Sequence, residues 1–375
     1  MDGNASNFSA HLVKELLADV YNYHFFNRDY ERFAVPVSKR IFEIIKSAAI
    51  LASRKLLGLT PLQKKFDKDI KNFEPIAEMY SSYEEIYSHL GDQQSKQLLI
   101  KILAYKILGR TRVKMPLNTP QYWKRRRYIN KLVIDTLPYE SGIKNKKIKL
   151  FDLEPLGYKM KILSVPFAAL TLFELRHYEY AGLQIICKAR PGDIAIDCGS
   201  CWGDSSLYLA NEVAENGMVY SFEFIPNNLE IFRKNLEINP HLADRVKVIQ
   251  QPVWEKSGKP LYVVDRGPAS TLTEKIVPDS LKVETTSIDD FVRDNKIRKV
   301  DFIKMDIEGA EMPALKGCVK TLRQFRPKLA ISAYHKPDDI AQIGKFIISQ
   351  KLGYRLFLGH YTIHREETVL FAQSQ

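Results

Sequence analysis

The sequence is poor in cysteine: Cys187, Cys198, Cys201 and Cys318 are the only four in 375 residues. They are too few and too scattered to staple a chain of this length with disulfides. Cys198 and Cys201 form one C-x-x-C, but no second pair or His-x-His spacing completes a zinc site. Long apolar runs are missing too. The most apolar stretch, IFEIIKSAAILASRKLLGL at 41–59, is broken by Glu43, Lys46, Arg54 and Lys55 and is too charged to span a bilayer. No charged-then-apolar signal opens the sequence, and it holds no internal repeat or low-complexity tract. The expectation is a globular, cytoplasmic protein.

The formal net charge is +12, which raises nucleic acid or a membrane surface as partners. Its location narrows the question. Residues 101–150 hold 14 basic and 2 acidic side chains, whereas 1–100 and 151–375 are each electrically balanced. A local excess describes one surface, not the whole chain.

Residues 1–110 read as a helical region. Ser9 is a candidate cap for a helix with Leu12, Leu16 and Val20 at helical spacing, a second helix is expected at 38–57 with Gly58 as its stop, and a third runs from Asp92 to Gly109. Residues 111–150 are polar, basic and turn-rich, and suit a connecting segment or a substrate-facing surface. From about 148 the texture changes. A hairpin (KIKLFDLEPLG, YKMKILSV) and a helical stretch over 166–189 lead into alternating strands and helices, with two strands and no helix between them at the end. Alternation of this kind gives a parallel sheet covered on both faces, and the closing pair makes it mixed.

The stretch DIAIDCGSCWGDSSLYLANEV at 193–213 runs a strand into an acid, a glycine turn and a helix. Dinucleotide sites need G-x-G-x-x-G so that backbone can approach a pyrophosphate. Here the order is Asp197, Gly199, Gly203, and the leading acid would repel a phosphate. It suits a cationic amino group, such as the amino-acid end of S-adenosylmethionine. Glu223, at the end of the next strand, can accept both hydroxyls of a ribose. Gln250 and Gln251 follow the third strand, where an adenine edge would be read. Ser200, Ser205, Asn228 and Asp306 complete the candidate cofactor set. The plain alternative is a tight strand-to-helix turn with Asp197 as its cap.

Residues 191–259 and 298–371 resemble the FkbM-type family of S-adenosylmethionine-dependent methyltransferases. PGDIAIDCGSCWGDSSLYLA, GMVYSFEFIPNNLEIFRKNLEINP, VDFIKMDIEGAEMPALKG and ETVLFA carry the resemblance. It implies an α/β, class I seven-stranded (Rossmann-like) domain over 151–375, with a mixed sheet and a C-terminal antiparallel hairpin. It also implies methylation of hydroxyl groups on sugars, glycans or other natural products.

Methyl transfer is an in-line displacement, so the protein must align an acceptor and remove its proton. Lys304, Asp306 and Glu308 alternate along one strand end, and such charges are costly to bury without a use. A Lys–Asp pair that merely steadies the loop, with Glu311 in the next helix, is the structural alternative. His335 ends the following strand as a candidate base. His360 is expected on the same rim, and His364 exposed just beyond it. Asp306, His335 and His360 could instead hold a divalent cation that lowers the hydroxyl's pKa.

QYWKRRRYINK at 121–131 mixes basic and aromatic residues. Such a run can grip nucleic acid, an anionic glycan or a membrane surface, or it can be a solvated helix face. The chain lacks the D/N-P-P-Y/F motif of amino-methylating DNA enzymes and the Pro-Cys nucleophile of cytosine C5 enzymes, which makes a nucleic-acid substrate the weaker expectation. A ribose methyltransferase acting on RNA and an inactive binding protein on the same core are the rival readings. Helices with one apolar stripe must bury it somewhere, so the N-terminal region is expected over the strand ends or in a homodimer contact.

Overall fold

The computed structural model describes residues 5–20, 22, 27, 62–143, 146–182, 185–264, 267–276, 278 and 280–374. Among the described residues, four helices form the N-terminal part: α1 (Ala5–Asp19), α2 (Leu62–Glu78), α3 (Tyr80–His89) and α4 (Gln93–Leu108). Ser9 lies inside α1 rather than at its start, and its hydroxyl meets that of Tyr80. The helix expected at 38–57 lies outside the described residues. Asp92 caps α4 by accepting from the Ser95 amide at 2.8 Å, and Gly109 ends it at φ +84°.

The expected connecting segment is structured. Thr119 accepts from the Tyr122 amide and Pro120 occupies the first turn, so 120–131 forms helix α5 (Pro120–Lys131). It feeds strand β1 (Val133–Glu140), which pairs with the expected hairpin β2 (Lys147–Asp152) and β3 (Lys161–Ser164) in the order β1-β2-β3. Pro138 is tolerated there because β1 is an edge. The helix expected over 166–189 is also corrected. It is only α6 (Pro166–Ala169) and one π-helical turn at Leu170–Glu174, followed by the two-residue strands β4 (Tyr180–Ala181) and β5 (Ile186–Cys187).

Alternation then follows the sequence pattern: β6 (Ile194–Cys198), α7 (Asp204–Val213), β7 (Met218–Phe222), α8 (Pro226–Glu237), α9 (Pro240–Ala243) and β8 (Val246–Ile249). A small antiparallel sheet, β9 (Pro260–Val264), β10 (Thr271–Thr273) and β11 (Lys282–Glu284), stands where only a loop is expected. The chain continues through α10 (Ile288–Asp294), β12 (Phe302–Met305), α11 (Glu311–Lys316), α12 (Val319–Phe325), β13 (Lys328–Ser332), α13 (Asp339–Ser349), β14 (Tyr354–His360) and β15 (Thr368–Ser374). The single helix expected over 310–324 is two, because Cys318 leaves helical φ/ψ and Gly317 packs where a Cβ would overlap the Trp254 carbonyl.

Seven strands form the central sheet in the order β14-β15-β13-β12-β6-β7-β8. β15 is antiparallel to both neighbours and the other pairings are parallel. This is the class I methyltransferase fold. Successive residues face opposite cores: Ile196, Ile303 and Ile331 join α4 and α13, while Ala195, Phe302 and Ala330 join α7 and α8. The N-terminal helices thus bury their apolar stripes on one face of the sheet. They also seal its edge. Gly91 donates to the Leu356 carbonyl at 2.8 Å, and the Leu358 amide donates to Ser95 Oγ at 3.0 Å, which satisfies edge strand β14. Among the described residues no helix is long and apolar enough to cross a membrane.

Candidate functional site

A cavity of about 540 Å³ opens at the carboxyl ends of β6, β7 and β12. The turn after β6 sets its floor. Gly199 sits at φ +81°, and a Cβ there would overlap the Asp306 carbonyl from the neighbouring strand end. Gly203, at φ +80°, meets the Phe232 ring of α8 in the same way. Glycine is needed at both places, for chirality and for space.

Asp197 does not face this cavity. It is fully buried, with Oδ1 2.9 Å from Lys304 Nζ and Oδ2 accepting from Ser205 and Ser206 Oγ at 2.8 Å each. The expectation of an acid presented to an ammonium is corrected: this carboxylate is already neutralised from within. Ser200 is likewise turned inward, donating to the Asp197 carbonyl. Gly199 and Ser205 do line the cavity.

Glu223, the residue after β7, lines it as well, with Asn228 beside it. Oε1 accepts from the Phe224 and Ile225 amides at 2.7 and 2.8 Å, Oε2 accepts a longer 3.3 Å bond from Asn228 Nδ2, and the Cys201 backbone also donates to this carboxylate. Burial pushes the Glu223 carboxyl up to about 7, against the hydrogen bonds that favour its ionised form. Gln250 and Gln251 are exposed and away from the cavity; Pro252 and Val253 form that wall, so an adenine would be met by apolar surface.

Lys304, Asp306 and Glu308 line the opposite part through the end of β12. Lys304 is held by Asp197 and by the Gly199 carbonyl at 2.6 Å. Burial opposes its charge, but Asp197 and Asp306 keep its pKa raised. Asp306 Oδ2 accepts from Tyr178 Oη at 2.8 Å, and Oδ1 lies 3.4 Å from Tyr334 Oη and 3.3 Å from His335 Nε2. Burial would raise its carboxyl, yet the His335 and Lys304 charges hold it below the ordinary range. Glu308 and Gly309 are consecutive left-handed residues, at φ +53° and +92°. His335 Nε2, at 3.6 Å, is the one partner of the Glu308 carboxylate among the described residues. Burial lifts this carboxyl to about 8.

His335 stands beneath these acids and not in the cavity wall. Its Nδ1 is 2.9 Å from Glu311 Oε1, and Nε2 faces Asp306 and Glu308. Burial disfavours its charge, but Glu311 first, then Asp306 and Glu308, raise its pKa to about 10. Held between three carboxylates and outside the cavity wall, His335 is placed as their counter-cation, where the sequence suggested a base. His360 is not beside it either. It is buried against Thr368 Oγ1 at 2.9 Å and pushed down to about 3 by burial. His364 is buried rather than exposed. Asp306, His335 and His360 therefore form no common metal site. The donor atoms of Asp306, Glu311 and His335 do lie within 4.8 Å of one another. The imidazole already lies between these two carboxylates, and a metal there would have to displace its proton.

His177, Tyr178, Tyr334 and Glu367 also line the cavity, and sequence reasoning missed all four. His177 stacks on Tyr178 at 4.4 Å and lies 3.4 Å from Glu367. The HYEY run at 177–180 was the available signal, hidden by its assignment to a helix. In α5, Tyr122, Arg126 and Ile129 are buried while Lys124, Arg127 and Tyr128 are exposed, and Arg126 reaches the cavity. The basic run is thus divided between a solvated face and the site.

Residues 197–356 match the family model described as methyltransferase FkbM domain. Among solved structures the chain is similar to a methyltransferase FkbM from Methylobacillus flagellatus KT, with 21% identity over 81% of this chain and 62% of that one, and a TM-score of 0.51. The chain therefore spans less than two thirds of that structure's length. It is also similar to a Methanococcus jannaschii fibrillarin pre-rRNA processing protein (15% identity, 62% of this chain and 90% of that chain, TM-score 0.35). A third is an S-adenosylmethionine-dependent O-methyltransferase from Thermotoga maritima (15% identity, 50% and 60%, TM-score 0.31). No curated protein matches the chain.

Proposed function

We propose, from the premise that residues 197–356 form a methyltransferase FkbM domain, that the protein transfers a methyl group from S-adenosylmethionine to a hydroxyl of a carbohydrate or related natural product. One observation carries this reading. A single cavity joins Glu223, at the end of β7, to a second carboxylate group at Asp306 and Glu308. The residues present fit the cofactor: the Gly199 turn lines the cavity beside Glu223, and Pro252 and Val253 offer an apolar face for a base. When bound, the cofactor supplies a methyl carried on a sulfonium, an already activated donor.

The chain's own residues then have separate tasks. Glu223, steadied by Asn228, holds the sugar hydroxyls of the nucleoside. Tyr178 fixes Asp306, which orients the acceptor hydroxyl. Glu308 takes the hydroxyl proton on its carboxylate; its lone pairs are the least occupied of this group, and burial brings its pKa near neutral. His335 is the cation that lets three acids share this corner. The test is calorimetric titration with S-adenosylmethionine, followed by transfer of labelled methyl to glycans, nucleotide sugars and RNA. Absence of donor binding, or transfer to RNA alone, would overturn the reading.

A further inference from the structure

Asp204, the first residue of α7, lines the cavity beside the Gly199 turn and is only 5% exposed. Its place is fixed from both sides. Gly203 before it packs against the Phe232 ring, and Ser164, at the end of β3, donates from Oγ to Asp204 Oδ2 at 2.7 Å. Oδ1 accepts from the Ser205 amide at 3.1 Å. Both donors are neutral. Among the described residues no cation stands within ion-pair distance of this carboxylate. The Lys304 charge favours its ionised form, but that ammonium is held by Asp197 at 2.9 Å. Burial outweighs these influences and lifts the Asp204 carboxyl to about 6. The other acids of the wall differ. Asp306 and Glu308 face the His335 imidazole, Glu367 lies 3.4 Å from that of His177, and Glu223 is assigned to the donor's ribose.

A buried carboxylate with hydrogen-bond donors and no counter-charge weakens the fold and suits a cation that arrives with a ligand. We infer that Asp204 receives the α-ammonium of S-adenosylmethionine, with Ser164 as the positioning residue that holds the carboxylate. The start of α7 then reads the amino-acid tail while Glu223 reads the sugar. This is the task the sequence suggested for Asp197, moved from the strand end to the first turn of the helix. It rests on the methyl-transfer reading and deepens it. An acid in a first helical turn also suits the positive end of the helix, and the two roles predict opposite effects on stability.

The full chain is titrated by calorimetry with S-adenosylhomocysteine, its desamino analogue, and 5′-methylthioadenosine, which lacks the amino-acid tail. The unaltered protein should bind S-adenosylhomocysteine roughly 10- to 100-fold more tightly than the desamino compound, as a charge-assisted contact predicts. Asp204→Asn keeps an oxygen for the Ser164 hydroxyl. It should abolish most of that preference and leave 5′-methylthioadenosine affinity unchanged. Its thermal midpoint without ligand should equal or exceed that of the unaltered protein, because a buried charge is gone. Ser164→Ala, which alters no charge, should weaken the preference less. Equal binding of the two tailed nucleosides by the unaltered protein would overturn the inference. So would a preference that survives in Asp204→Asn, or a fall in 5′-methylthioadenosine affinity together with the thermal midpoint. If none of the three nucleosides binds, the methyl-transfer reading fails and takes this assignment with it. If they bind without regard to the amine, that reading stands and the assignment alone fails.

Discussion

Lys304 and Asp197 are register partners on neighbouring parallel strands, and their charged ends meet at 2.9 Å with both side chains buried. The pair ties the end of β12 to the end of β6 beneath the glycine turn. Through Ser205 and Ser206 it also fixes the start of α7. Two residues that look like ligands in the sequence are each other's counter-ion.

Removing one partner should therefore cost more than removing both. Lys304→Met is expected to lower unfolding free energy by about 3–5 kcal/mol, because it leaves Asp197 charged and buried. Lys304→Met with Asp197→Asn should recover much of that loss. Denaturant titration of both variants checks it, and a single variant as stable as the double would contradict the pairing.

His335 makes stability depend on pH in one direction. Its pKa rises from 6.5 unfolded to about 10 folded. The imidazolium therefore contributes fully below pH 6.5, and its contribution is lost as pH climbs through about 10. The unfolding midpoint should fall across that window, and His335→Ala should flatten the fall while lowering stability at neutral pH. An unchanged slope in the variant would show that the proton is not held here.

If Glu308 takes the acceptor proton, turnover should rise with pH and level off above about 8, where its carboxyl is ionised. Glu308→Gln should reduce kcat by roughly 10²–10⁴-fold and leave donor affinity untouched. A variant that keeps both the rate and the pH profile assigns the proton elsewhere.

Glu223→Ala should weaken S-adenosylmethionine binding by roughly 100-fold or more, since two sugar hydroxyls lose a charged acceptor. Calorimetry reads it directly. Glu223→Gln, which keeps the size and one acceptor oxygen, should fall between that variant and the unaltered protein.

The Gly199 turn permits no side chain. Gly199→Ala places a Cβ on the Asp306 carbonyl at a φ of +81°, so β6 and β12 must separate at the site. Expected outcomes are a lower melting temperature and loss of donor binding together. Unchanged donor affinity in a stable variant would mean that the turn has room to relax.

The alternation from Ile194 to Ser374 was legible because buried parallel strands read as short apolar runs, whereas the strand order came from the structure. Strand-end positions were legible for the same reason, which is how Gly199, Glu223 and Asp306 came forward. Local pattern failed where the periodicity was mixed. PFAALTLFELRHYEY reads as a continuous helix, but the π-helical turn at Leu170–Glu174 ends it and swings His177 and Tyr178 toward the cavity. The basic run could not show which of its cations face inward, because only packing of Tyr122 and Ile129 against the core fixes the rotation of α5.

By itself the sequence determined the seven-stranded sheet, the glycine turn and which acids stand at strand ends, since these follow from burial, chirality and chain order. Only the tertiary structure decided what those acids do. Asp197 is neutralised by Lys304, His335 is held as a cation by Glu311, Asp306 and Glu308, and His360 is neutral among threonines. The state of an ionisable group is set by neighbours that arrive from distant parts of the chain, and by how much water they leave behind.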